Sequence, residues 1–357
     1  MLPNLYIDLN AIAYNYKLCQ NLASPTQTAA VIKNDAYGLG AKEVAQKLYQ
    51  EQNCRIFFVA YATEAVSVRG VAPDATIYLL NGFDTNDIDL IQQFNLTPVL
   101  SSLEQLEKWE KSNLTTIKPA LQVESGLHRL GISYEQAKLL SQEQRSQFSL
   151  ILSHLACADE TENPLNQKQL NEFKRFKTLF PNALFSLSAS DGLGLGKDFY
   201  FDIVRVGAFL YGLKTCPPLN ELQKQAVQAE VSVIQSKQLK INDTAGYGQT
   251  FTAQRPSRIL ALSVGYADGL LRSLSNKGCV FFHHNNQWMK APIIGRISMD
   301  ITLCDITDLP KEIEQAQSAF LINDIYTFDD MGHDAGTIGY ETLSLICNSK
   351  RWNKIIK

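Results

Sequence analysis

Between about residue 28 and residue 212 one unit recurs: a short β-branched or aliphatic run, a few loop residues, then a polar stretch with apolar positions three and four apart. The runs Thr28 to Asn34, Arg55 to Tyr61, Thr76 to Asn81, Leu96 to Leu100, Ile117 to Val123, Phe148 to His154, Leu184 to Ser188 and Ile203 to Val206 predict strands. Ala41 to Tyr49, Leu103 to Lys111 and Asn166 to Leu179 carry the spacing of amphipathic helices. Repeated strand and helix units in this number predict a (β/α)₈ TIM-like barrel. The alternative is an open doubly wound sheet, but no G-x-G-x-x-G follows the first strand.

Past about residue 230 the texture changes to Val, Ile, Ser and Thr runs divided by Asn, Asp and Gly, as in Val231 to Leu239, Arg258 to Val264 and Val280 to Ile294. This predicts a mainly-β domain, with Asn285-Asn286 as a hairpin turn. A chain of 357 residues exceeds what one core usually supports, so two domains are expected, 1–230 and 231–357. The first strand, residues 3–9, can pack with the second domain. No Pro-rich linker separates the two, so they are expected to touch.

Composition narrows the function classes. An apolar fraction of 45%, a charged fraction of 19%, and 33 basic against 36 acidic residues are ordinary for a globular protein with a small negative excess. Without a clustered basic face, nucleic acid and anionic membranes are not expected partners. Met1 to Asn10 carries Asp8 and no leader-like apolar run, and runs such as Phe57 to Ala60 are too short to span a bilayer. The seven cysteines form no C-x-x-C pair, which reads as reduced thiols of a cytoplasmic protein. His283-His284 has no third ligand at suitable spacing, so no metal site is expected.

The segment Ala30-Val31-Ile32-Lys33-Asn34-Asp35-Ala36-Tyr37-Gly38-Leu39-Gly40 sets a lysine where the first barrel strand ends, the end at which barrel active sites lie. By itself a lysine there is usually a solvated stop. Ser190 follows the seventh expected strand and Gly207-Ala208 the eighth, where barrels often bind phosphate. The Lys33 segment resembles, nearly residue for residue, the cofactor-lysine signature of the alanine racemase family, with Leu39 where histidine is common. Val264-Gly265-Tyr266-Ala267-Asp268-Gly269 resembles the family's segment with the catalytic tyrosine. The resemblance runs in order from Leu5 to about Glu341.

The resemblance implies pyridoxal 5′-phosphate bound as a Schiff base to Lys33, and proton exchange at the α-carbon of alanine by Lys33 on the D side and Tyr266 on the L side. It implies cofactor contacts from Tyr37, Arg129, His154, Ser190, Arg205, Gly207, Ala208 and Tyr340. Of these, Arg205 would face the pyridine nitrogen, with His154 beside it in a polar chain towards the tyrosine. Because guanidinium only donates, that nitrogen would stay unprotonated. The substrate carboxylate would meet Arg129 and the Met299 backbone N–H, with Arg296 lining the access path.

The family's tyrosine serves the other subunit, which implies a head-to-tail homodimer with shared sites. The implied product use is D-alanine for peptidoglycan. Three departures stand out: His128 replaces a glycine, Gln122 falls where many members carry a carbamylated lysine bracing the arginine, and Ala189 stands where asparagine is usual. The other readings are a racemase of serine or a broader amino-acid range, a non-catalytic pyridoxal phosphate-binding protein, and a decarboxylase on the same two-domain plan.

Overall fold

A computed structural model describes residues 2–357. Eight parallel strands, β2 (Gln27–Val31), β3 (Ile56–Val59), β4 (Thr76–Leu79), β5 (Thr97–Leu100), β6 (Ala120–Gln122), β7 (Leu150–Leu152), β8 (Leu184–Ser186) and β9 (Ile203–Val206), follow β1 (Asn4–Ile7). Their order is β8-β7-β6-β5-β4-β3-β2-β9, so β9 returns beside β2. The Asp202 N–H donates to Phe185 O at 3.0 Å and the Arg205 N–H to Ser188 O at 3.0 Å, which ties β9 to β8 and closes a (β/α)₈ TIM-like barrel. Its interior is a separate cluster of Ala29, Phe58, Tyr78, Val99, Ala120, Leu150, Leu152 and Ile203. Small Ala29 and Ala120 leave room for the stacked rings of Phe58 and Tyr78, whose centroids lie 4.7 Å apart.

The second sheet contains β10 (Val227–Leu239), β13 (Ser257–Leu262), β14 (Cys279–His284), β15 (Gln287–Ile294), β16 (Thr302–Asp305), β17 (Ser318–Ile322) and β18 (Asn353–Ile356), while β11 (Thr244–Ala245) and β12 (Phe251–Thr252) form a small ribbon. Its order is β13-β16-β15-β14-β17-β10-β1-β18, and β10 also pairs with β13. A register shift between Val233 and Gln235 lets the long β10 change partners and close the sheet on itself. The first strand, β1, joins this sheet, antiparallel to β10 and parallel to β18. Asn285 and Asn286 turn the β14–β15 hairpin with φ of 49° and 60°, as a two-residue turn of this type needs. His283 lies at that hairpin with its ring 4.9 Å from Trp288.

The mainly-β second domain also carries two helices, Phe328–Ala335 and Gly339–Asn348, which the sequence pattern did not announce. Thr327 and Asp330 form a reciprocal cap at the first helix, which buries Phe328 and Met331. The second helix buries Leu343 and Ile346 and packs on the segment that follows β2.

That segment is unusual. Asn34, Asp35, Ala36 and Tyr37 have φ of 53° to 58°, a left-handed turn immediately after Lys33. Asp35 holds it, accepting the Ala41 N–H at 2.8 Å on its side chain and the Gly40 N–H at 2.9 Å on its carbonyl. The turn lies flush against the second helix: a Cβ on Gly38, at φ 91°, would stand 2.4 Å from the Cys347 carbonyl carbon. The Asp35 carboxylate also meets Lys354 Nζ at 3.6 Å. Gly38→Ala is therefore expected to destabilise the protein by about 2–4 kcal/mol; chemical denaturation of the variant beside the parent chain checks this.

Candidate active site

A cavity of about 310 Å³ opens at the C-terminal end of the barrel, lined by Lys33, Tyr37, Gln122, Arg129, Ser153, His154, Ala189, Ser190, Asp191, Arg205, Gly207, Ala208 and Tyr340, with apolar Val31, Leu80 and Leu152. The barrel brings together Lys33 from the end of β2, Gln122 from β6, His154 from beyond β7, Ser190 from beyond β8 and Arg205 from β9. Tyr37 enters because the left-handed turn brings it back to the same cavity as Lys33. Tyr340 is carried in by the helix Gly339–Asn348 of the other domain. Every residue expected at the cofactor thus lines one cavity.

Lys33 loses affinity for its proton, chiefly through burial and then through Arg129, with Glu64 opposing. Glu64 also fixes the surrounding backbone, accepting the Asn34 N–H at 3.1 Å and the Ala60 N–H at 2.8 Å.

Arg205 is buried and has no carboxylate partner. Its Nη1 donates to Ser186 O at 2.9 Å and Ser186 Oγ at 2.6 Å, and its Nη2 to Ser153 O at 2.7 Å and Leu187 O at 3.3 Å. Burial lowers its pKa to about 10. The same Nη2 faces His154 Nδ1 at 3.5 Å. Guanidinium only donates, so Nδ1 must be the bare nitrogen and the imidazole proton belongs on Nε2. Burial, then the charges of Arg205, Arg129 and Lys33, push His154 down to about 3.

Ser190 Oγ accepts the Gly207 N–H at 3.0 Å, joining the loops after β8 and β9 and leaving the Ser190 proton free to donate. Gly207 carries no side chain where a Cβ would stand 3.0 Å from Tyr37 Oη. Burial raises the phenols of Tyr37 and Tyr340 above the usual tyrosine value, so both remain donors. Tyr340 Oη donates to Asp191 Oδ2 at 3.2 Å. Asp191 and Glu64 received no role from sequence. Asp191 directly follows the expected phosphate serine, which is the signal that could have found it.

Gln122 does not reach for the Arg129 side chain. Its Nε2 donates to Leu130 O at 3.3 Å, and its carbonyl accepts the Ile132 N–H at 3.1 Å. It holds the Arg129 loop by the backbone, while His128 sits exposed at φ 56° outside the cavity.

Tyr266, Arg296 and Met299 do not line the cavity. They stand on the second domain, with Tyr266 44% and Met299 53% exposed. Their loops are tightly built: the Tyr266 N–H donates to Ser298 O and the Ala267 N–H to Met299 O, both at 3.0 Å. Asp268 accepts the Gly265 N–H at 2.8 Å and pairs with Arg351 at 3.1 Å, and Arg351 also meets Asp300 at 2.6 Å. The tyrosine and the methionine are presented outward together.

Residues 7–215 match the family model described as alanine racemase, N-terminal domain, and residues 226–356 match alanine racemase, C-terminal domain. The chain is 40% identical over 348 residues to an alanine racemase of Rickettsia africae, covering 95% of each chain. It is 38% identical over 350 residues to a catabolic alanine racemase of Agrobacterium fabrum, covering 96% of this chain and 89% of the relative. Among solved structures it is similar, at TM-score 0.92, 36% identity and full coverage of both chains, to an alanine racemase of Bartonella henselae with covalently bound pyridoxal phosphate. A biosynthetic alanine racemase of Pseudomonas aeruginosa is similar at TM-score 0.91 and 31% identity, with 100% of this chain and 99% of that one covered.

The electrostatics around His154 give a pH prediction. The native ring stays neutral down to a pKa of about 3, whereas the unfolded ring takes up a proton near its ordinary 6.5. Between these values the unfolded state binds more protons, so His154 withdraws stability as pH falls through that window. Imidazole NMR is expected to show no His154 titration between about pH 8 and about pH 5, and His154→Gln is expected to weaken the acid-side fall in stability.

Proposed function

The chain belongs to the alanine racemase family, and from that premise we propose that it interconverts L- and D-alanine with pyridoxal 5′-phosphate held at Lys33, using Lys33 and Tyr266 as the two bases. As a member of that family it is an enzyme, an amino-acid racemase among the isomerases. The observation that carries the reading in detail is the cavity's lining: a buried amine disposed to lose its proton shares the cavity with a buried guanidinium and with hydroxyl donors.

These residues fit pyridoxal phosphate. A lysine with reduced proton affinity is what attack on an aldehyde requires. The Ser190 proton, the phenols of Tyr37 and Tyr340, and the open side of Gly207 suit phosphate. Arg205, held by carbonyls and a serine hydroxyl, would leave a facing pyridine nitrogen unprotonated. A decarboxylase of this plan would have a carboxylate there, and a cofactor carrier of the one-domain kind would lack Tyr266, Arg296 and Met299.

When bound, the cofactor supplies an acceptor for the electron pair left at the α-carbon. Lys33 Nζ takes or returns the proton on the D side and Tyr266 Oη on the L side. Arg129 and the Met299 backbone N–H receive the carboxylate, Arg296 lines the access path, and His154, Arg205 and Ala208 complete the surround. A weak electron sink favours return of the proton to the α-carbon. The cavity volume of about 310 Å³ lies at the small end of the range of ligand pockets, roughly 300–1,000 Å³, and has to hold the cofactor, so the choice of alanine rests on family membership.

Because Tyr266 and Met299 are exposed and outside their own chain's cavity, we assign them to the cavity of a second copy in a head-to-tail homodimer. The use we propose for the product, by family membership, is D-alanine for peptidoglycan.

Chiral analysis of products from L-alanine and other L-amino acids tests the reading. D-alanine is expected as the main product, and its absence would overturn the assignment. Tyr266→Phe should lower racemisation by about 10²- to 10⁴-fold with cofactor absorbance retained, whereas Lys33→Ala should lose borohydride trapping of the cofactor. Expression of the chain should also relieve the D-alanine requirement of a bacterium lacking its racemase.

A further inference from the structure

The phosphate end of the cavity carries a charge of the wrong sign. Asp191 lines it beside Ser190, Gly207 and Tyr340, and belongs to none of the ion pairs among the described residues. The groups facing it come from several elements: Tyr340 from the helix Gly339–Asn348, Asp329 from the helix Phe328–Ala335, Asp159 from the loop after β7, Tyr37 from the left-handed turn, and Cys216 beyond β9. Two of these are carboxylates and none is a cation. Burial, followed at a distance by Asp159 and Asp329, raises the Asp191 carboxyl above the usual aspartate value, against the hydrogen bonds from its own backbone and Tyr340.

A carboxylate and a phosphate oxygen both only accept, so they cannot share a contact unless a proton lies between them. Resting on the cofactor reading above, we propose that Asp191 is a proton-linked phosphate ligand: with pyridoxal phosphate bound, its carboxyl is neutral and donates to a phosphate oxygen. Binding to the protein with Asp191 ionised then takes up one proton from solvent. Cofactor affinity accordingly weakens as pH rises above the carboxyl's value in the free protein, by up to tenfold per pH unit. Asparagine at this position can donate without taking up a proton.

The test uses cofactor-free full-length protein and two probes, pyridoxal phosphate and pyridoxine phosphate, the second lacking the aldehyde and hence independent of chemistry at Lys33. Dissociation constants are measured for the parent, Asp191→Asn and Asp191→Ala from about pH 6 to about pH 9, with and without magnesium. Dividing parent by Asp191→Asn cancels the titrations of the phosphate and Lys33. The expected ratio rises by about tenfold per pH unit over at least one unit for both probes, and Asp191→Ala shows no such rise. A pH-independent ratio overturns the proposal, as does tightening of the parent by magnesium, which would mean an ionised carboxylate sharing a cation. If neither probe binds any variant, the cofactor reading fails and this proposal with it; if both bind at a constant ratio, only the role of Asp191 fails.

Discussion

The electrostatic character of the site follows from one buried cation. Arg205 lies inside the barrel end with carbonyl and serine oxygens as its partners and no carboxylate to neutralise it. A buried guanidinium is tolerable only where its N–H groups are met, and the ends of β7 and β8 meet them. Burial, and then that field, keep His154 neutral, and the guanidinium fixes which of its nitrogens bears the proton. Lys33 is disposed to lose its proton by burial and by Arg129. A cavity lined by a buried cation and by hydroxyl donors is preorganised before anything enters it.

Backbone geometry supplies the complementary constraint. A lysine ending a strand would normally run on into solvent, but the left-handed turn at Asn34–Tyr37 folds the chain back so that Lys33 and Tyr37 line the same cavity. Consecutive left-handed residues cost about 1–2 kcal/mol each, so the turn persists only because its surroundings hold it. Asp35 does so from within, Glu64 from the neighbouring helix, and the helix Gly339–Asn348 from the other domain. The last of these also delivers Tyr340, so docking of the two domains and completion of the cavity lining are one packing event.

Much of this was legible in the sequence because barrel strands are short, continuous apolar runs bounded by loops. Every expected strand exists, although β2 stops at Val31 instead of Asn34, since the chain enters the left-handed turn that Asp35, Glu64 and the helix Gly339–Asn348 together hold. The cavity residues were legible through resemblance more than through pattern; nothing local marks Tyr340 as one of them. The helices Phe328–Ala335 and Gly339–Asn348 were missed amid strand-rich texture, though Thr327 and Asp330 spell a cap for the first. Asp191 stayed silent because its meaning depends on Tyr340 and Asp329, far away in the chain. Gln122 makes no bond to the Arg129 side chain, in keeping with the sequence reading, but holds the loop through the Leu130 carbonyl, a contact the sequence does not announce.

The remaining constraint concerns the side of the cavity opposite Lys33. Inversion at carbon is simplest with a proton donor on each face, and the cavity's own lining places its one amine on the side of β2. Tyr266 is held away from that cavity by a loop that could not easily be remodelled: a Cβ on Gly265 would stand 2.3 Å from the Ser298 and Met299 carbonyl oxygens, and Asp268 and Arg351 clamp the same turn. A rigid loop that displays a phenol and a methionine to solvent gains nothing for the isolated chain, because burial of such groups is favourable. On the proposed reading the rigidity serves a docking partner: two copies arranged head to tail would each cover the other's exposed tyrosine and supply the missing proton donor, coupling assembly to catalysis through the same few residues.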